Sequence, residues 1–235
     1  MSARAGEWPS GPLDWEVRLP KKGETSLSGR RPRARVTVRS ESHGEETFSV
    51  PTVVGRKLDA KARSGELVPG SRAELLFEIR SMEQSSVSGR VETLVNRRDY
   101  SSSQLSQKLS DDGFPKDIVD SAVKRAVECG LVDDIRFAGS FIRSGVSRGW
   151  GRQRIERELS RRGVNAEDVP GWPEEFISEG DEADRAYELA SRRHLTGKND
   201  YQKIVRFLVG RGYSISLATQ TARRVLDEAR EDEGL

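Results

Sequence analysis

The sequence predicts a mainly α-helical fold: three tandem three-helix modules forming an elongated, curved rod, preceded by a short β-hairpin and a disordered N-terminal arm. Three observations carry this expectation. A register of two aliphatics and a glycine recurs three times along the chain, helical periodicity runs from about Ser85 onward, and period-two alternation is confined to the stretch from Ala34 to Val54.

Residues 1–32 hold Pro9, Pro12, Pro20 and Pro32 without a sustained apolar period and lead into the basic run GRRPRAR, which reads as a disordered arm. Residues 33–84 follow as a hairpin plus helix. Val36 and Val38 alternate with polar residues, SHGEE is turn-like, and TFSVPTVV continues the alternation through Phe48 and Val50. Two strands need a cover, and Ala73, Leu76, Phe77 and Arg80 lie at helical spacing within Arg72–Ser81 to supply it.

The three modules are expected at 85–132, 133–179 and 180–230, with an acidic tail at 231–235. Their middle helices align as Leu105, Leu109, Gly113; Ile155, Leu159, Gly163; and Ile204, Leu208, Gly212. Aliphatics four apart share one helix face, and a glycine four residues later sits where helices commonly end at positive φ. The residue after each glycine is apolar (Phe114, Val164, Tyr213), as such a cap requires. First helices carry Val87, Val91, Leu94 and Val95; Phe137, Ala138, Phe141 and Ile142; and Ala183, Ala186, Tyr187 and Ala190. Pro115, Asp133 or Asp134, Asp200 and Ser214 mark helix starts, whereas Pro170 and Pro173 should break the third helix of the second module into a turn around Trp172. Each module alone buries little, so neighbours must share surface.

Composition narrows the function. With 33% charged residues and a mean hydropathy of −0.69, no apolar run approaches a membrane span, and the first residues lack a signal-peptide core, so a cytoplasmic protein is expected. One cysteine, Cys129, expected as a small core residue, excludes an internal disulfide; with only His43 and His194 beside it, no metal cluster and no cofactor are expected. His194, beside Arg192 and Arg193, reads as a helix-end cap, and no GxGxxG, GxxxxGK[ST] or HExxH motif occurs, so catalysis is not expected. The net charge of +2 names no partner, but 31 of the 40 basic residues are arginine. Arginine suits bidentate phosphate or carboxylate partners, although a G+C-rich genome raises its count without any function.

Local charge says more. Between Arg143 and Gly163 lie Arg143, Arg148, Arg152, Arg154, Arg157, Arg161 and Arg162, opposed only by Glu156 and Glu158. On a helical wheel Arg154, Arg157 and Arg161 fall about 200–260° from Ile155, opposite the core, as a row able to meet a phosphate chain or an acidic groove. A solvated face neutralised by the two glutamates is the plainer alternative. Arg97, Arg98 and Lys108 in the first module and Arg206 in the third would extend the row if the modules stack with a constant rotation. Trp150, set between arginines, suits either base stacking or a hydrophobic staple.

The motif G-[LY]-x-D-D-x-R-F-A at Gly130–Ala138, followed by G-x-x-R-I-x-x-E-L-x-x-R-G at Gly151–Gly163, resembles the RecX family of regulators of the RecA recombinase. The resemblance runs over about Ser85–Ala229. It places Asp134, Phe137, Ala138, Arg154, Ile155, Glu158, Leu159 and Gly163 at family motif positions, most of them cap or core residues. It implies a non-enzymatic, monomeric modulator in DNA repair, recombination and the SOS response. Such a protein binds the RecA–DNA filament and mostly inhibits RecA ATPase, filament extension and strand exchange; single- or double-stranded DNA is implied as a further partner. The rival from the residues alone is a stand-alone DNA-binding protein using a helix-turn-helix-like module.

Overall fold

The computed structural model describes residues 12–21, 31–40 and 44–233. Its elements fall into two units, Met1–Arg98 with Leu105–Leu131, and Asp99–Gln104 with Val132–Leu235.

The first unit begins with an antiparallel sheet in the order β1 (Asp14–Arg18), β2 (Arg33–Ser40), β3 (Gly44–Pro51). The β2–β3 hairpin pairs Val36 with Phe48, and Ala34, Val36 and Val38 are all buried in the period-two pattern of a one-faced sheet. β1 corrects the expected disordered arm. It pairs with β2 through Val17 and Val36, and Trp15 and Val17 pack on the same core. Its five residues are flanked by Pro12 and Pro20, which an edge strand tolerates and which hide so short a strand in the composition. The remainder of the arm, 1–11 and 22–30, lies outside the described residues, as does His43.

Val53 and Val54 extend no strand: α1 spans Thr52–Ser64 and ends at Gly65, whose φ of 73° is left-handed. Two adjacent valines read locally as strand, but Val54 and Leu58 are one helical turn apart and both are fully buried against the sheet. A Cβ on Gly55 would lie 2.3 Å from that of Ala34, so glycine is what lets α1 approach β2. α2 then runs unbroken from Arg72 to Val95, so the expected domain boundary at 84/85 falls inside a helix. The Gln84–Ser85–Ser86 stretch interrupts the apolar period but contains no helix breaker. The face that covers the sheet carries Leu75, Ile79 and Met82, one position away from the expected set, and Phe77 is left 71% exposed. Further along, α2 packs against α4 (Lys116–Glu128), where Val87, Val91, Leu94 and Ile118 are buried, and Leu105 and Leu109 of α3 (Ser102–Asp111) are buried as well.

The second unit holds α5 (Asp134–Ser147), α6 (Arg152–Ser160), a 3-10 turn at Ala166–Asp168, and α7 (Glu179–Ser191), α8 (Asp200–Arg211) and α9 (Ile215–Glu233). The turn replaces a third helix in the second module. Val169, Ile177 and the half-buried Trp172 and Phe176 fill the space a helix would have covered.

The three middle helices end alike. Gly113, Gly163 and Gly212 take φ of 92°, 74° and 93°. Each glycine N–H donates three residues back, to Ser110, Ser160 and Val209, and each following N–H donates five back, from Phe114 to Leu109, Val164 to Leu159 and Tyr213 to Leu208. That double bond pattern is a Schellman cap, with the buried Phe114, Val164 and Tyr213 as its apolar lock.

A second repeat joins successive modules. The α8 C-terminus meets the α6 N-terminus: Gly151 N–H donates to the Arg211 carbonyl at 2.9 Å, and Gln153 N–H to the Gly212 carbonyl at 3.1 Å. Glu182 of α7 accepts from Arg152 N–H at 2.8 Å. One module earlier, the buried Ser101 hydroxyl donates to the Arg162 carbonyl at 2.6 Å and accepts from Gln104 N–H, while Asp134 of α5 accepts from the Ser102 N–H at 2.7 Å and its hydroxyl at 2.6 Å. In both junctions the end of a helix and an acid from the following module satisfy donors that open a middle helix. The contact is close. A Cβ on Gly151 would stand 2.5 Å from the Gly212 carbonyl carbon, and one on Gly163 would stand 2.3 Å from the Ser103 Cβ.

Gly151 has an ordinary φ of −81°, so Gly151→Ala is tolerated locally and tests only this junction. The expected cost in urea unfolding is about 1–3 kcal/mol, the range for overpacking against atoms that cannot retreat. Ser101→Ala is expected to cost about 1–2 kcal/mol, a lost helix cap. Changes below about 0.3 kcal/mol in both would mean that the junction is not held as described.

Candidate functional site

The cluster around α6 starts from its two buried anchors, Ile155 and Leu159, which leave the remaining positions of a nine-residue helix to polar side chains. Five of the guanidiniums in and beside this helix then separate into two groups. Arg154 is half-buried with its guanidinium 4.2 Å from the centre of the Trp150 ring, and Trp150 in turn meets Phe141 edge-on. Arg162 lies 4.5 Å over Phe141 and pairs with Glu158 at 2.6 Å. These two guanidiniums are held in packing and cation–π contacts. Arg152, Arg157 and Arg161 instead line an open groove of about 580 Å³ together with Glu156, Ser160, Asn165, Ala166 and Glu167. Arg152 pairs with Glu156 at 2.8 Å and Arg161 with Glu158 at 3.1 Å, while Arg157 makes no ion pair among the described residues.

The row of Arg154, Arg157 and Arg161 expected from the helical wheel is therefore split. Arg154 turns toward Trp150 because its Cβ sits against Gly212 at the module junction, and Arg152 joins the groove from the first turn. Trp150 packs against the core of the second module under Arg154, so the staple alternative describes it better than an open stacking platform. Arg143 is exposed and lines a separate depression with Glu175 and Phe176; Arg148 is exposed, and its carbonyl accepts from Arg211 at 3.0 Å. Arg206 is exposed on α8 in the same unit. Arg97, Arg98 and Lys108 belong to the other unit, the first two exposed after α2 and the third half-buried on α3.

The remaining motif positions build this surface from beneath. Phe137, Ala138, Ile155 and Leu159 are buried in one cluster, Gly163 closes α6 at positive φ, and Asp134 holds Ser102. The neighbouring Asp133 is the N-cap of α5, accepting from the N–H groups of Ile135 and Arg136 at 2.9 Å. Cys129 is exposed at the end of α4, contrary to the core position expected from its apolar neighbours; Val127 and Leu131 are themselves 46% and 48% exposed. Phe207, flanked by Arg193 at 4.3 Å and Arg211 at 4.9 Å, had no sequence signal. Among the described residues no group of His, Cys, Asp and Glu is arranged to hold a metal ion, and no helix is long and apolar enough to cross a membrane.

Electrostatics follow the pairs. The hydrogen bond from Arg162, with Arg161 and Arg154 nearby, holds the Glu158 carboxyl below its ordinary range. The bond to Glu156 raises Arg152, so its charge is secure.

Comparison with known proteins locates this surface. Residues 133–169, spanning α5, α6 and the 3-10 turn, match the family model described as RecX, second three-helix domain. The regulatory protein RecX of Vibrio cholerae serotype O1 is 31% identical over 162 residues, covering 67% of this chain and 99% of that protein. The chain belongs to the RecX family. Two crystal structures agree in fold at 17% identity: a regulatory protein RecX with a TM-score of 0.54, covering 88% of this chain and 96% of that one, and RecX from Lactobacillus salivarius at 0.53, covering 62% and 97%. Mainly helical RecX architecture with a small N-terminal sheet is thus the fold of this family member. Its relatives are named as regulatory proteins.

A carboxyl held low in the folded state stabilises the fold above its unfolded pKa and stops doing so as pH falls through the lowered one. The stability difference between wild type and Glu158→Gln is therefore expected in full at pH 7, to shrink as pH falls below the unfolded value of about 4.3, and to vanish once pH is below the lowered folded value, in thermal unfolding followed by circular dichroism. A difference independent of pH would remove the Arg162–Glu158 pair from the account of α6.

Proposed function

We propose that this RecX-family chain is a cytoplasmic, non-enzymatic regulator, active as a monomer. It engages the RecA–DNA filament through the groove of Arg152, Arg157 and Arg161 and lowers RecA ATPase, filament extension and strand exchange. What supports the reading is the convergence of three exposed guanidiniums on one open groove, beside the Ser160 and Asn165 side chains. Guanidinium forks meet carboxylates and phosphates in paired hydrogen bonds, and a polymeric target multiplies weak contacts through effective concentration. Arg143, Arg148 and Arg206 add exposed cations in the same unit, and Arg97, Arg98 and Lys108 are the further contacts proposed from the other. Arg154 and Arg162, committed to Trp150 and Phe141, serve chiefly to position the surface.

The test is RecA ATPase on single-stranded DNA. Wild type is expected to inhibit, and the Arg152→Ala, Arg157→Ala, Arg161→Ala triple variant to need about 10- to 100-fold more protein for the same inhibition, at about 0.5–0.9 kcal/mol per exposed contact. Unchanged ATPase with wild type would refute the assignment. Tight binding to naked duplex without RecA, with a log–log salt slope near −0.9 per phosphate, would favour the helix-turn-helix-like alternative.

A further inference from the structure

Two arginines of the basic run that leads into β2, Arg31 and Arg33, are held within the first unit. Arg31 and Arg33 lie against the turn between α3 and α4. Arg31 N–H donates to the Asp111 carbonyl at 3.1 Å and its guanidinium pairs with Asp112 at 3.1 Å, while the Arg33 guanidinium donates to the Gly113 carbonyl. Asp112 is itself buried and shared with Arg90 at 2.6 Å, so the carboxylate that orients Arg31 is fixed from a second side. Beside these contacts is a pocket of about 420 Å³, lined by Arg31, Arg33, Lys116, Ser106 and Ser110, with Phe114, Pro115 and Val119 as apolar wall and Asp120 as its one acidic side chain.

From this arrangement we propose a binding site for a phosphate monoester of mononucleotide size. The phosphate would meet Arg31, Arg33 and Lys116. A guanidinium carries five N–H donors, and the described contacts of Arg31 and Arg33 leave most of theirs for a ligand. The two serine hydroxyls and the wall of Phe114, Pro115 and Val119 suit a sugar with an attached ring, and the volume lies within the range of small-molecule sites. The N–H groups of Asp117 and Ile118 in the first turn of α4 add nothing to this recognition, because the Asp117 carboxylate accepts from both. Lys116 is held at 2.5 Å by Asp120, which opposes an incoming anion. The site is therefore tuned by one exposed pair, whose side chains are 86% and 55% accessible.

That pair makes the test two-sided. Deoxyadenosine monophosphate is titrated calorimetrically into the full chain at low salt, beside inorganic phosphate and deoxyadenosine. Lys116→Gln is expected to weaken the nucleotide about five- to tenfold and Asp120→Asn to tighten it about threefold, each with an unchanged melting temperature. Arg33→Lys is the milder probe of the inner guanidinium, expected to weaken binding while keeping its charge. No nucleotide heat at 10-fold above the millimolar range, or variants that leave affinity unmoved, would overturn the site. Inorganic phosphate binding as tightly as the nucleotide would overturn the monoester assignment. None of these measurements contains RecA, so their outcome is independent of the regulatory reading.

Discussion

Helix ends are the constraint on which the second unit rests. An α-helix leaves its first N–H groups and last carbonyls without partners, and burying them unpaired is costly. Here the middle helices resolve both deficits together: the carbonyls that close α8 accept from the N–H groups that open α6, and the last turn of α6 does the same for the Ser101 hydroxyl. Acids at equivalent places, Asp134 and Glu182, complete each junction. Because the two bonds from Gly151 and Gln153 run between backbone groups, they fix the depth and rotation of α6 more tightly than side-chain packing would, and with it the direction in which its arginines project.

The arginine cluster has two physical roles that composition cannot separate. Arg154 and Arg162 lie on aromatic faces and are largely withdrawn from water, whereas Arg152, Arg157 and Arg161 face a groove. The distinction comes from what lies beside each residue in space: Trp150 and Gly212 for the first, Phe141 and Glu158 for the second. A charge count of this segment overstates what is free to meet a partner.

Much of the helical part was legible because its signals are local. Glycine four residues after a buried leucine, followed by an apolar residue, is a complete cap written in one stretch of chain, and all three copies fold that way. The proline-broken third helix of the second module is legible for the same reason. The N-terminal unit was read less well. Val53–Val54 favours a strand locally, and only the burial of Val54 and Leu58 against the sheet, with the close approach of Gly55 to Ala34, makes α1 a helix; β1 is too short to stand out between two prolines; and α2 crosses a polar stretch because nothing in it stops a helix. At the surface, the wheel correctly set Arg157 and Arg161 away from the core, but it could not place Arg154, whose position depends on a helix almost sixty residues further along the chain.

The two acids at the start of α5 face different obligations. Asp133 serves its own helix, and Asp134 serves the helix of the module before it. The similarity to the second three-helix domain of the family begins at this pair, yet the border it marks is not a mechanical one. A cassette cut there would carry Asp134 away and leave Ser102 behind with its donors open. Repeats spliced or duplicated at such a border come apart as unfinished pieces, so an ancestral array of this kind could grow only by copying stretches long enough to keep each donor with its distant acceptor.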